Sequence, residues 1–193
     1  MKKILSRILA KFFPGVYYYL LYIRAAQKMR DHSGERKKLF SSLIERSEGK
    51  KCLQIGARDQ KYTPRFVSVD LFDRSDLIDY NYDVQELKFE DETFDIVVCN
   101  AILEHVENPE KAIRELSRVL KTGGFIWIEV PFNQPYHPSP GDFWRITPEG
   151  MKIWMRRFKE ISSGFFKINK SPIYNGIFYY GKKQAVSSNQ YQV

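Results

Sequence analysis

Gly56, Asp70 and the pair Asp83-Val84 follow one another in the order in which a bound nucleoside would meet them. Glycine lets a backbone turn tightly and come close to a ligand. A carboxylate at Asp70 suits a ribose diol, which it can grip by two hydrogen bonds. A carboxylate at Asp83 can accept from an exocyclic amine, while the backbone N–H of Val84 reaches a ring nitrogen. That combination reads an adenine edge. In dinucleotide-binding folds an acidic residue serves the ribose about twenty positions after the glycine motif. Here fourteen positions separate Gly56 from Asp70.

These residues punctuate short apolar runs. Cys52-Leu53-Gln54-Ile55 ends at Gly56, Phe66-Val67-Ser68-Val69 at Asp70, Ile78 to Tyr82 at Asp83, Phe94 to Cys99 at Asn100, and Phe125 to Val130 at Pro131. Continuous apolar runs of this length suit strands buried on both faces of a parallel sheet covered by helices. Ligands bind beyond the carboxyl ends of such strands, so the punctuating residues are expected on one rim. The fold class expected is α/β, a Rossmann-like and mostly parallel central sheet flanked by helices, with an antiparallel final strand and an N-terminal helical extension. Helix signals fall between the runs. Asn108-Pro109 opens one helix as cap and first residue, and Ile113, Leu116, Val119 and Leu120 form its core stripe. Thr122-Gly123-Gly124 turns into the next strand. Thr147 caps a second helix whose apolar stripe is Met151, Ile153, Trp154 and Phe158, and strands are expected at 164–169 and 177–180.

In this order and spacing the chain resembles the class I S-adenosylmethionine-dependent methyltransferases, in a compact methyltransferase-11-like branch. Leu53-Gln54-Ile55-Gly56, Val69-Asp70, Asp83-Val84 through Phe89, Phe94-Asp95-Ile96-Val97, Leu103-Glu104-His105-Val106 and Leu120 through Gly124 carry the likeness. It implies S-adenosylmethionine as cofactor, held by Gly56, Ala57, Arg58, Asp70, Leu71, Asp83, Val84 and Asn100. It also implies methyl transfer to a small-molecule, saccharide-type or lipid-linked acceptor. Two departures stand out. The usual glycine-rich loop is absent, since Gly56 is followed by Ala57-Arg58-Asp59-Gln60. The connections from Gly56 to Phe66 and from Asp70 to Asp83 are also too short for a crossover helix with loops. Arg58 either faces the methionine carboxylate of the cofactor or pairs with Asp59 or Asp73 on the surface.

Methyl transfer from a sulfonium asks mainly for alignment and exclusion of water, and for a base only where the acceptor must lose a proton. His137 and His105 are the candidate bases, with a purely structural role as the alternative for His105. His137 sits in a proline-rich, aromatic segment, 131–145, whose Asn133, Tyr136, Asp142, Trp144 and Arg145 complete a candidate acceptor pocket. Alternatively Phe143 and Trp144 cap the core and Arg145 pairs with Asp142. No metal site is read from the sequence. Cys52 and Cys99 match no zinc or redox spacing and read as buried thiols in a reducing compartment.

Charge is segregated. Residues 1–51 carry +9, residues 52–150 carry −8 and residues 151–193 carry +7 of the net +8. An acidic centre argues against nucleic acid, and basic ends favour an anionic membrane surface or a phosphorylated substrate. Residues 1–13 form a basic amphipathic helix, Pro14-Gly15 breaks it, and VYYYLLYI follows, far short of the ~20 residues of a bilayer span. Residues 1–48 are thus a helical extension that serves as lid or membrane contact. Residues 49–183 are the methyltransferase domain, and 184–193 a polar tail. Localisation is expected to be cytoplasmic, peripheral at the inner membrane surface. A non-catalytic methyltransferase-like scaffold at a membrane is the alternative function. A nicotinamide dehydrogenase lacks its glycine fingerprint here.

Overall fold

A computed structural model describes residues 2–26, 30–57, 61–168, 171 and 173–185. The elements are α1 (Lys2–Phe12), α2 (Pro14–Ala26), α3 (Ser33–Glu45), β1 (Cys52–Ile55), β2 (Phe66–Val69), β3 (Phe94–Asn100), a 3-10 turn (Leu103–His105), α4 (Pro109–Val119), β4 (Leu120–Pro131), α5 (Pro148–Trp154), β5 (Phe158–Phe166) and β6 (Gly176–Lys183). They build one six-stranded sheet in the order β2-β1-β3-β4-β6-β5. The first four strands pair in parallel, and β6 pairs antiparallel with both β4 and β5.

Alternation along the strands divides the core in two. Leu53, Ile55, Val97, Cys99, Ile126 and Ile128 face α4, meeting Ala112, Ile113 and Leu116, with Met151 and Met155 alongside. Cys52, Ile96, Val98 and Trp127 face the other way and pack against Leu43 of α3, with Leu39, Phe40 and Ile44 at its margin. Layers of helix, sheet and helix follow directly from this period of two. Cys52 and Cys99 are buried free thiols. Leu116 is wholly buried, and shortening such a leucine to alanine costs about 2–5 kcal/mol.

Three expectations need adjustment. The run Ile78 to Tyr82 is no strand: its ladder with β2 stops at a single parallel bridge between Val69 and Tyr80. Side chains take the neighbouring backbone groups, since Asp79 Oδ2 accepts from the N–H of Ser68. Asn81 Nδ2 donates to the carbonyls of Asp70 and Asp73. Such local bonds compete with ladder formation. The turn at Thr122-Gly123-Gly124 is an irregularity inside β4, and a Cβ on Gly124 would lie 2.8 Å from the Asp95 carbonyl oxygen. Finally, α5 stops at Trp154. Ile153 is 61% exposed, while Phe158 opens β5 and is buried in the core. Pairing with β6 as far as Lys183 claims Phe158 for the sheet and overrides its helical spacing.

Among the described residues no helix intervenes between β1 and β2, or between β2 and β3. The described rim beyond β1 and β2 is therefore built from loops. Among the described residues, no helix is long and apolar enough to cross a membrane. α1 and α2 pack on each other and leave Ile4, Leu5, Ile8, Phe12 and Phe13 exposed.

Candidate active site

A cleft of about 1330 Å³ opens where β1 to β4 end. Gly56, Ala57, Asp70, Leu71, Asp83, Val84 and Asn100 all line it, together with His105 and His137. The structure thus brings together every site residue expected from the sequence except Arg58, which lies outside the described residues. Asp70 and Asp83 share one cavity, as a nucleoside lying across the strand tips requires.

The glycine has no substitute. Gly56 has φ +75°, and a Cβ there would lie 2.6 Å from Ile102 Cδ1. Both the left-handed conformation and the close approach demand glycine. Its N–H donates to Val69 O at 2.8 Å, tying β1 to β2 just below the rim. Asp70 spends Oδ1 on its own turn, which aims the carboxylate and leaves Oδ2 to a ligand. Asp83 is likewise held by its own turn: Oδ1 accepts from the N–H of Gln85 at 2.8 Å, and Gln85 Nε2 makes long contacts of 3.4 Å to both carboxylate oxygens. The loop between them is pinned by Asp79, which accepts from Lys61 Nζ and from Ser68 N–H. Burial pushes the Asp79 carboxyl up, but the bonds from Lys61 and Ser68 outweigh it and hold its pKa below the ordinary value.

Asn100 donates from Nδ2 to the Tyr62 hydroxyl at 2.6 Å, and its Oδ1 is buried without a partner. Burial pushes the Tyr62 hydroxyl up to about 12, so it stays a neutral phenol. The next residue, Ala101, holds φ +53°, and its N–H donates to the Glu129 carbonyl at 2.9 Å. Glu129 itself is buried in the cleft wall. Its carboxylate accepts from Arg36 Nε and Nη2 of α3, at 2.7 and 2.6 Å, and from Trp127 Nε1 at 2.9 Å. The Arg36 guanidinium also lies over the Phe166 ring at 4.2 Å. Sequence reading did not find this pair, because its members stand 93 positions apart and neither ends an apolar run.

On the other side of the cleft Glu104 is 0% exposed, and neither of its carboxylate oxygens has a hydrogen-bond partner. Burial pushes its carboxyl up to about 7. His105 and His137 stand edge to face with centroids 5.1 Å apart. In the 131–145 segment, Gln134, His137, Ser139, Gly141 and Phe143 reach the cleft. Asn133, Tyr136, Asp142, Trp144 and Arg145 do not line it. Arg145 instead clamps Asp142 at 2.6 and 2.8 Å, which holds that carboxyl well below the usual carboxylate range. Trp144 Nε1 donates to Val106 O. Half of the segment thus builds a frame that presents the other half. No described residue of α1 or α2 lines the cleft.

Comparison with known proteins agrees with this layout. A family model described as a methyltransferase domain matches residues 59–128. The ubiquinone/menaquinone biosynthesis C-methyltransferase of Idiomarina loihiensis is 42% identical over 53 residues, 28% of this chain and 21% of that protein. The sterol 4-C-methyltransferase of Caenorhabditis elegans is 24% identical over 145 residues, 63% of this chain and 43% of that protein. The chain therefore spans less than half the length of these relatives. Among solved structures, the Burkholderia thailandensis 1,6-didemethyltoxoflavin-N1-methyltransferase, with its substrate and S-adenosylhomocysteine bound, superposes with a TM-score of 0.61 at 14% identity. The superposition covers 89% of this chain and 91% of that one. The fold is that of the class I S-adenosylmethionine-dependent methyltransferases. Residues 59–128 match the family model of a methyltransferase domain, and the resemblance read from the sequence is borne out in the fold.

Proposed function

We propose that the protein is a methyltransferase that uses S-adenosylmethionine and acts on a lipid-linked or saccharide-type acceptor at a membrane surface. One observation carries the catalytic part: Gly56, Asp70, Asp83-Val84 and Asn100 line a single cleft at the carboxyl ends of parallel strands. The residues fit the cofactor. Gly56 leaves room for a close backbone approach. Asp70, with Oδ1 committed to its own turn, offers Oδ2 to a ribose diol, and Asp83 with the Val84 N–H suits an adenine edge. The orphaned Oδ1 of Asn100 is an acceptor in want of a donor, which an ammonium group supplies. When bound, S-adenosylmethionine contributes a methyl group already activated by a sulfonium. The chain's own task is to hold the acceptor in line and keep water out. His105 and His137 lie at the cleft wall, where an acceptor proton can be taken up.

The membrane part rests on α1 and α2. Their apolar residues are exposed, and Arg7 and Lys11 lie on the same helix as Ile4, Leu5 and Ile8. A basic helix with an uncovered apolar face suits an anionic interface. Two relatives named for quinone and sterol methylation make a lipidic acceptor the favoured class.

Calorimetry with S-adenosylhomocysteine tests the cofactor site. Wild type is expected to bind, and Asp70→Ala to bind at least tenfold more weakly; no heat from wild type overturns the catalytic reading. Co-sedimentation with vesicles containing anionic lipid tests the membrane contact. Full-length protein is expected to pellet and an Ile8→Glu/Phe12→Glu variant to stay in solution. Equal behaviour of the two removes the membrane from the proposal.

A further inference from the structure

We propose that Glu104, His105 and His137 form a binding site for a first-row divalent transition ion such as Zn²⁺ or Mn²⁺. The Nε2 atoms of both imidazoles point at one oxygen: His105 Nε2 lies 3.8 Å and His137 Nε2 3.9 Å from Glu104 Oε1. One ligand atom from each of the three residues falls within 4.8 Å of the others. These separations are too long for hydrogen bonds. A metal–ligand length near 2.1 Å sets ligand atoms about 3.4 Å apart in a tetrahedral site. The two histidine–glutamate separations thus need to close by roughly half an ångström around an ion, and no pair of the three atoms starts more than 4.8 Å apart, a gap that rotation of two partly exposed rings can close.

The outer contacts of the two histidines have the form a metal site requires. His105 Nδ1 is 2.6 Å from the Gly141 carbonyl oxygen, and His137 Nδ1 is 2.8 Å from that of Pro135. A carbonyl only accepts, so Nδ1 of His105 carries the proton; at His137 the 2.8 Å carbonyl contact asks the same of Nδ1 and is shorter than the 3.2 Å approach of Arg145 Nη2, which only donates. That fixes the tautomer and turns the lone pair of each Nε2 toward Glu104. Ligating histidines are held in this way by carbonyls or carboxylates behind them. The loop is fixed in turn, since His137 N–H donates to Asp142 Oδ2, which Arg145 clamps.

Glu104 supplies the independent observation. Its carboxylate is fully buried, aims at both imidazoles, and neither oxygen has a hydrogen-bond partner. A buried acceptor without a donor is costly, and a cation removes that cost. Two imidazoles with one carboxylate suit borderline first-row ions rather than Mg²⁺ or Ca²⁺. Both histidines line the cleft while Glu104 lies behind them. The free coordination positions therefore open onto the cleft, where an oxygen of the acceptor can bind. The cation site itself stands on the geometry of these three residues and does not depend on the methyl-transfer reading.

Co²⁺ is the probe. Untagged full-length protein, stripped with chelator, is titrated with Co²⁺ while visible absorption and proton NMR are recorded. The expected result is one Co²⁺ per chain with a ligand-field band, and two paramagnetically shifted imidazole N–H signals from the two Nδ1 protons. Glu104→Gln keeps the shape and removes the charge, and it is expected to weaken binding tenfold or more, as is His137→Ala at a half-exposed position. Absence of a band at millimolar Co²⁺, or a Glu104→Gln protein that titrates like wild type, overturns the site. In either of those cases the cluster is a metal-free acid–base group. Heat from S-adenosylhomocysteine, measured separately, reports on the cofactor half alone, so the two readings fail independently.

Discussion

The two halves of the cleft solve opposite problems. On the half proposed for the nucleoside, built from the ends of β1 and β2 and the loops after them, the carboxylates of Asp70 and Asp83 each spend an oxygen on their own turn. On the half proposed for the acceptor, Glu104 keeps both oxygens unpaired in the dry interior. The first half is preorganised by bonds it already makes, at the expense of the crossover helices other Rossmann-like folds carry there. The second is held in place from behind, by Gly141, Pro135 and the Asp142–Arg145 clamp, and leaves a buried carboxylate without a donor. A site can thus be rigid either because its polar groups are satisfied or because its frame is.

The contrast can be broken at several points. The largest effect is expected at the Arg36–Glu129 pair between the two halves. Arg36→Ala leaves Glu129 buried beside Trp127, and urea unfolding should show a loss of about 3 kcal/mol. A loss below ~1 kcal/mol would mean that water reaches the carboxylate. Next comes Asp70→Ala, which removes a turn cap as well as the proposed ribose contact. Besides the tenfold loss of S-adenosylhomocysteine affinity, it should destabilise the chain by about 1 kcal/mol. If affinity falls while stability is untouched, the turn does not depend on this carboxylate.

Asp79→Asn probes the loop through pH. The folded pKa of Asp79 is below its ordinary value, so the ionised group stabilises the fold above pH ~4, the unfolded value. The contribution fades as pH falls through the folded pKa. The variant should cost about 1 kcal/mol at pH 7, after allowance for solvent screening of a partly exposed group. It should then converge on wild type in thermal melts only as pH falls through the lowered folded pKa. A gap independent of pH would assign the effect to shape. The smallest change is expected from Glu104→Gln in metal-free protein, whose melting temperature should be unchanged or slightly raised. A marked fall would show that Glu104 has a partner the static structure does not reveal.

How much of this was legible beforehand depended on how local the cause was. Gly56, Asp70, Asp83 and Asn100 each follow an apolar run, and strand ends in a parallel sheet place such residues on one rim. The caps at Asn108 and Thr147 were equally local, and both side chains accept from the expected N–H groups. Where the cause was distant, the sequence misled or was silent. Phe158 fitted a helical stripe until β6 offered it a strand partner. The run Ile78 to Tyr82 has the composition of a strand, but the side chains of Asp79 and Asn81 claim the backbone groups nearby. His105 and His137 were chosen one at a time. Their common focus on Glu104 depends on a loop folding back over the 3-10 turn, where Phe143 N–H donates to the Glu104 carbonyl at 2.7 Å. Arg36 and Glu129 had no signal at all.

Ala101 sits in the left-handed region where glycine would cost less. Its methyl group narrows the backbone motions open to the peptide that follows Asn100. The amide at position 100 is therefore kept from swinging, and part of the rim's sharpness is bought with stability. Ala101→Gly should yield a protein that melts later yet grips its ligand less selectively: a tougher molecule with a blunter edge.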